Sequence, residues 1–439
     1  MSPDRPERLT VDDDLFLRME HALGVPVVNQ AIWRLPGRVD PGEFAELGDA
    51  LSGGRLARLV NRTPFPQRDR WIHTRSAGAH AVCEEAIAVH EIPAWARRQA
   101  EVGVDAVVGP AWRLTAVHVD DTGETVVSWV NSHVVADGGA VITGIEEAVV
   151  GETFDTADAR AGVGDAVRDG ARTLLCAADA ARTLVMSRPA TLTRPPAPPV
   201  EPLPATGQPG VPAPSPSVVV TVDETEFDSA AAAVGGTANT LFTAVVIGVL
   251  EATGRVADGD EIPVGLPVST RTPGDRRANA TTGATALYRL SAARHRDLRP
   301  LRAASKAAFA AVSDEPGALE LLGRIAQPFG DSIVARLAAD ARAPLCLASN
   351  LGSLGDDFAG LGFGRPGPVA MRSMTLGATP EVLRRMDGGI SGWSSRSAGL
   401  VTLCLTALDP VRVPDEPTLR GLVAEELRRW RLPATLWGA

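Results

Sequence analysis

Lysine is all but missing from this chain: Lys306 is the only one, and every other member of its 43 basic side chains is arginine. Against 53 Asp and Glu residues the formal net charge is −10. A surface of that sign repels phosphate backbones, so nucleic acid is not an expected partner. The cysteines are four and scattered, at Cys83, Cys176, Cys346 and Cys404, with no CxxC pair. Neither a disulfide framework nor a zinc site follows from that spacing. Long apolar runs are missing too. Leu241 to Leu250 is the longest, about half of the roughly 20 residues a membrane-spanning helix needs. Met1 to Thr10 is polar, without the apolar core of a signal peptide. These absences point to a soluble, cytoplasmic protein with no membrane span. The preference for arginine, with abundant alanine, glycine and valine, matches the codon bias of a GC-rich genome, so arginine frequency alone carries no functional meaning.

What is present suffices for a large core. The chain has 439 residues, 45% of them hydrophobic and 22% charged, and a chain of that length buries roughly 70–75% of its unfolded surface without a metal or disulfide staple. Residues 189–216 are crowded with proline and read as an extended connector, since proline excludes a helix interior. They divide the chain into an N-terminal lobe (1–188), a linker (189–216) and a C-terminal lobe (217–439). In the first part Val27 to Leu35 alternates as a strand, and Pro41 to Leu59 reads as a helix capped by Asp40. Trp112 to Val119 and Thr125 to Asn131 form a hairpin across Asp120-Asp121-Thr122-Gly123. Helices are expected from Gly139 to Val149 and from Arg160 to Ser187. In the second part strands are expected at Ser217–Val222, Ile262–Val268, Leu345–Ser349 and Leu400–Thr406, with helices at Asn239–Ala252, Leu298–Val312 and Glu416–Trp430. Each half mixes α and β, which predicts two α/β (α+β) lobes and not one barrel.

The hairpin's second strand runs into Asn131-Ser132-His133-Val134-Val135-Ala136-Asp137-Gly138-Gly139. A histidine at a strand end, followed by an aspartate and paired glycines, can present an imidazole to a cleft, and imidazole titrates near neutrality as a general base must. The glycines leave room where a ligand or a helix N-terminus approaches closely. The same residues also fit a histidine satisfied in the core beside a glycine turn.

Ser132-His133-Val134-Val135-Ala136-Asp137-Gly138 resembles the HHxxxDG motif of the CoA-dependent acyltransferase superfamily, which includes condensation domains, wax ester synthases and plant BAHD enzymes. Leu9 to Leu17 resembles the start of wax ester synthase-like proteins, and Asn239 to Ala244 the helix that opens the second lobe's core. Pro267-Val268-Ser269-Thr270-Arg271 resembles the strand that ends in arginine, and Ser349-Asn350-Leu351-Gly352 a Ser-Asn element of the second lobe. Gly360 to Pro366 echoes the plant DFGWG segment, with Gly360 in place of its aspartate and Asp356 or Asp357 as the candidates to supply that brace. The resemblance implies two chloramphenicol acetyltransferase-like lobes with a tunnel between them. It implies acyl transfer from a thioester, either acyl-CoA or an acyl carrier protein, to a small-molecule amine or alcohol, with no metal and no other cofactor, in natural-product or lipid biosynthesis.

It also implies a set of roles. His133 is the general base. Asp137 and Gly138 complete the catalytic motif, Asp137 as architecture paired with Arg271 as a structural brace, and Gly138 as clearance or as an N–H donor. Ser132, in place of the motif's first histidine, Ser349 and Asn350 are expected to bind substrate. Two rival readings stand beside the enzyme: a thioester- or carrier-binding protein that keeps the fold without turnover, and an epimerase or cyclase. Gly362-x-Gly364-x-x-Gly367 formally matches a dinucleotide fingerprint, but Pro366 and Pro368 exclude the required helix, so it is read as a turn. Trp112 and Trp129 are expected in the core.

Overall fold

The computed structural model describes residues 7–83, 85–152, 154, 162–187, 211–212, 215–312, 317–337 and 342–438. The proline-rich connector expected over 189–216 lies largely outside them, as do positions 160 and 161 of the helix expected from Arg160, which is observed as Val163–Ser187.

Branched and aromatic residues extend the chain into two sheets. The first contains β1 (Val27–Leu35), β4 (Gly78–Val82), β5 (Trp112–His118), β6 (Thr125–Ser132) and β11 (Val369–Thr375), in the order β11-β1-β6-β5-β4. A separate hairpin joins β2 (Arg58–Asn61) to β3 (Arg70–His73). The second sheet contains β7 (Ser217–Asp223), β8 (Glu261–Ser269), β9 (Thr281–Arg289), β10 (Cys346–Ser353), β12 (Ile390–Ser397), β13 (Leu400–Ala407) and β14 (Ala434–Leu436), in the order β14-β7-β13-β12-β10-β8-β9. β11 comes from the second half of the chain yet pairs with β1, Val27 facing Thr375 and Trp33 facing Val369. The first sheet is therefore completed only when the C-terminal part of the chain folds back onto it.

Each sheet carries its own core. The β5–β6 hairpin turns at Gly123, whose φ of +68° suits glycine. Its register stacks Trp112 on Trp129 with ring centroids 4.7 Å apart, both rings fully buried. In the second part the apolar run Leu241–Leu250 is an entirely buried stretch of the helix Ala238–Ala252, packed on β10 and β12. Among the described residues no single helix is long and apolar enough to cross a membrane. The helix expected from Pro41 to Leu59 starts where expected, with Asp40 accepting from the N–H groups of Gly42 and Glu43, but it stops at Gly53. The pair Gly53-Gly54 breaks it, and Leu59 lies in β2.

Entry into β11 is tight. The strand follows the turn at Gly362 and Gly364, which bears out the turn reading there and has φ of +76° and +67°. Gly367 then lies so close to β1 that a Cβ on it would come within 1.9 Å of the Arg34 carbonyl oxygen. That obstacle is backbone and cannot rotate away. Gly367→Ala should lower stability by about 1–3 kcal/mol, the usual cost of overpacking, seen as a reduced midpoint in urea unfolding. An unchanged midpoint would show that β11 does not bear on β1 this closely.

Candidate active site

The loop that leaves β6 is almost wholly buried and not helical, so its carbonyl groups need partners from elsewhere. Side chains supply them one by one. Asn131 Nδ2 donates to Ser132 O at 2.8 Å and to Ala136 O at 3.0 Å. Asn29 Nδ2 donates to Ala136 O as well, at 2.8 Å. Asn279 Nδ2 donates to His133 O and Val134 O at 3.1 and 3.2 Å. Arg58 donates from Nε and Nη2 to Val135 O at 3.2 and 2.8 Å, its guanidinium lying over the Trp71 ring. Burial of that guanidinium lowers the Arg58 pKa. Five successive carbonyls from Ser132 to Ala136 are thereby fixed by four side chains, three of them far away in sequence.

Asp137 closes the loop as the N-cap of the helix Gly138–Val149. Its Oδ1 accepts from Ala140 N at 2.7 Å and from Arg271 Nη2 at 2.9 Å. Its Oδ2 accepts from Ala280 N at 2.8 Å and from the Thr281 hydroxyl at 3.1 Å. Arg271 also donates to the carbonyls of Arg277 and Ala278. The Asp137–Arg271 pair is buried and joins the first part of the chain to the β8–β9 connection of the second.

His133 sits at the centre of this arrangement. Its ring stacks on Phe16 of the helix Val11–His21, with centroids 3.7 Å apart and planes 15° from parallel. Nδ1 lies 3.0 Å from Asn279 Oδ1. Among the described residues Nε2 has no hydrogen-bond partner, and it is not one of the polar atoms sealed from solvent without one. Burial of the half-buried ring lowers its pKa, and the Asp137 carboxylate opposes that shift only in part. At neutral pH the imidazole is uncharged and able to accept a proton.

The other expected site residues are placed differently. The Ser132 side chain is buried, and its hydroxyl donates to Glu20 Oε2 at 2.8 Å, one turn along the same helix from Phe16. It braces that helix. Ser349 lies half-buried in β10 opposite Trp393. Asn350 is exposed, but its amide is committed: Nδ2 donates to Asn239 Oδ1 at 3.1 Å, and Oδ1 accepts from Gly352 N at 2.9 Å. The next residue, Leu351, is the one that reaches the motif. A Cβ on Gly138 would lie 2.9 Å from Leu351 Cδ2, so Gly138 supplies clearance for a side chain from the second half of the chain. Asp356 and Asp357 begin the short helix Asp356–Gly360. Among the described residues neither carboxylate makes a hydrogen bond or ion pair, and the local tie is Trp33 Nε1 to Phe358 O at 2.8 Å.

Sequence reasoning missed Asn279, Phe16, Asp13, Glu20 and Arg58. Phe16 and Asp13 fall in the Leu9–Leu17 segment already singled out by resemblance, while Asn279 follows the pair Arg276-Arg277 with no pattern to mark it. Glu20, His21 and Asp105 bring ligand atoms within 4.8 Å of one another. Glu20 already accepts from Ser132, and Asp105 Oδ1 accepts from the N–H groups of Val107 and Val108, so the group is explained without an ion. A cavity of about 320 Å³ opens at the start of the N-terminal helix, beside Asp12, Arg172, Arg277, Glu320 and Arg324, and His133 does not line it. There burial and the neighbouring Asp13 raise the Asp12 pKa to about 6.

Asp137→Ala should destabilise the protein by about 3–5 kcal/mol, because it strands the buried Arg271 charge as well as uncapping a helix. Asp137→Asn, which keeps an acceptor for the cap, should lose less. Equal, small losses in thermal unfolding of both variants would refute this account of the loop.

The chain is similar to several solved structures along nearly its whole length. The wax ester synthase/diacylglycerol acyltransferase from Marinobacter aquaeolei VT8 aligns with 97% of this chain and 98% of its own, at 12% identity and a TM-score of 0.58. The first condensation domain of the calcium-dependent antibiotic synthetase, solved with a substrate analogue, aligns over 97% and 96%, at 13% identity and a TM-score of 0.57. The condensation domain of the Monacolin K polyketide synthase MokA gives 97% and 96%, 15% identity and 0.54. No protein-family model matches the chain, and no curated protein matches it in sequence. At such low identities the likeness is one of fold: the chain has the fold of these condensation domains and of the wax ester synthase.

Proposed function

We propose that this protein is an acyltransferase of the condensation-domain type, moving an acyl group from a CoA or carrier-protein thioester to an amine or hydroxyl acceptor. The observation that carries this reading is His133: a half-buried imidazole with a lowered pKa, in a loop whose carbonyls from Ser132 to Ala136 are all bonded, where both parts of the chain meet, and whose Nε2 has no hydrogen-bond partner among the described residues. In the reaction His133 accepts the acceptor's proton as its nitrogen or oxygen attacks the thioester carbon. The proton is then returned to the departing thiolate. Asp137 holds the loop and stays out of proton transfer, because both of its oxygens are already occupied. The thioester is substrate here, and the chemistry calls for no metal. Biosynthesis of a lipid or other natural product is the setting that suits such a transferase.

A second reading, a thioester-binding protein without turnover, is motivated by Ser132 in place of the motif's first histidine. The two separate in an acyl-transfer assay with a panel of acyl-CoAs, pantetheinyl thioesters, amines and alcohols. His133→Ala should lower turnover by about 10²–10⁴-fold, the usual contribution of a general base, in a protein that remains folded by circular dichroism. Binding of thioesters with no His133-dependent turnover would establish the second reading.

The pH dependence follows from the direction of the His133 shift. The base must be uncharged, and its pKa lies below the ordinary histidine value of about 6.5. The rate constant kcat/KM should therefore be flat at neutral pH and fall only on acidification, with a midpoint below about 6.5. A midpoint above that value would contradict a desolvated base.

A further inference from the structure

We infer that Asn279 is a positioning residue that fixes the tautomer of His133, leaving Nε2 as the nitrogen that accepts the proton. The inference rests on the acyl-transfer reading for its chemical purpose, but its structural content stands apart from it. Amide orientation is normally an assignment and not an observation. Here the surroundings decide it. The Asn279 Nδ2 group faces three oxygens: Asp13 Oδ1 at 2.9 Å, His133 O at 3.1 Å and Val134 O at 3.2 Å. Two are carbonyl oxygens, which only accept, and Asp13 Oδ1 already accepts from the Asn279 backbone N–H at 3.1 Å. Turning the amide over would set its oxygen against all of them. Oδ1 must therefore be the atom that faces His133 Nδ1 at 3.0 Å. An amide oxygen only accepts, so Nδ1 carries the hydrogen of the neutral ring and Nε2 carries the lone pair.

The rest of the cluster keeps Asn279 where it is. Asp13 Oδ1 also accepts from the Asn279 backbone N–H at 3.1 Å, and Asp13 Oδ2 accepts from Thr10 N at 2.8 Å in the capping box of the N-terminal helix. Asn279 itself is fully buried. The Phe16 stack holds the ring plane, while Asn279 selects which edge of the ring faces outward. Stacking alone would permit a half-turn of the imidazole, which brings a carbon to the place of Nε2. The hydrogen bond from Nδ1 removes that freedom.

The test is nitrogen-15 NMR of the full-length protein labelled at histidine, with His133 assigned by the spectrum of His133→Ala. Above the pKa, His133 should show a protonated Nδ1 and an unprotonated Nε2. In Asn279→Ala the ring should revert towards the Nε2–H form that unconstrained imidazole side chains favour. In the same variant kcat should fall about 10–100-fold, part of what the base supplies, with KM changed little. Should the alanine variant not fold, Asn279→Ser takes its place. An Nε2–H tautomer in the wild type, or an Nδ1–H tautomer that persists without Asn279, overturns the inference. If the tautomer is as stated but His133→Ala retains full turnover, the acyl-transfer reading falls and the assignment of Asn279 remains.

Discussion

A buried carboxylate has to find donors for its oxygens or raise its pKa and give up its charge. Asp137 finds four: one from the helix it caps and three from the β8–β9 connection on the far side of the molecule. That requirement orders everything around it. The helix Gly138–Val149 cannot start elsewhere, the strand β6 cannot end elsewhere, and the loop between them is left with one conformation. Each bond contributes about 1.5–3 kcal/mol when the acceptor is charged, and the four together offset the entropy of ordering the loop.

The same economy explains why His133 depends on three distant stretches of chain. Phe16 comes from the first helix, the histidine from just past the end of β6, and Asn279 from the β8–β9 connection. None of the three is a neighbour in sequence, yet they meet through one ring stack and one hydrogen bond. β11 adds a fourth tie by lending the first sheet an edge strand from the second half. Ser373 on that strand bonds Asn29, whose amide in turn holds Ala136 O. The path from the C-terminal part of the chain to the motif loop is thus made of hydrogen bonds between packed, mostly buried residues and passes through no flexible connection.

Much of this was legible in the sequence, and the reasons differ by element. β1 was read to the residue because its apolar positions alternate between the fixed ends Val27 and Leu35. The helix at Pro41 was overextended because its amphipathic pattern continues past Gly53 while the backbone does not. β11 was missed because Val-Ala-Met-Arg-Ser-Met-Thr has no clean alternation. Buried on both faces, its pattern is set by two layers of neighbours and not by solvent. In the site, Asp137 and Arg271 were paired by resemblance, and the structure joins them at 2.9 Å. Asn279 left no mark, because its role lies in the direction of one amide, which depends on where three other oxygens sit after folding. Ser349 and Asn350 came from the resemblance of Ser349-Asn350-Leu351-Gly352 to a Ser-Asn element, and the neighbour that reaches the motif is the apolar Leu351.

The exchange of the motif's first histidine for Ser132 looks at first like damage to a catalytic pair. The contacts separate the two positions. The Ser132 hydroxyl spends its hydrogen on Glu20, a carboxylate whose pKa burial raises, and it also accepts from Val134 N. These bonds clamp the N-terminal helix one turn away from Phe16, whose ring lies on His133. Position 132 therefore acts on the imidazole only through the placing of that helix. A side chain at this position must be small enough for complete burial and able to donate to Glu20, and serine meets both demands. The features that the proposed proton transfer would need at His133, a fixed plane, a fixed tautomer and a lowered pKa, would come from Phe16, Asn279 and the surrounding desolvation. The loss of one histidine from the pattern is thus compatible with a working base at the next residue.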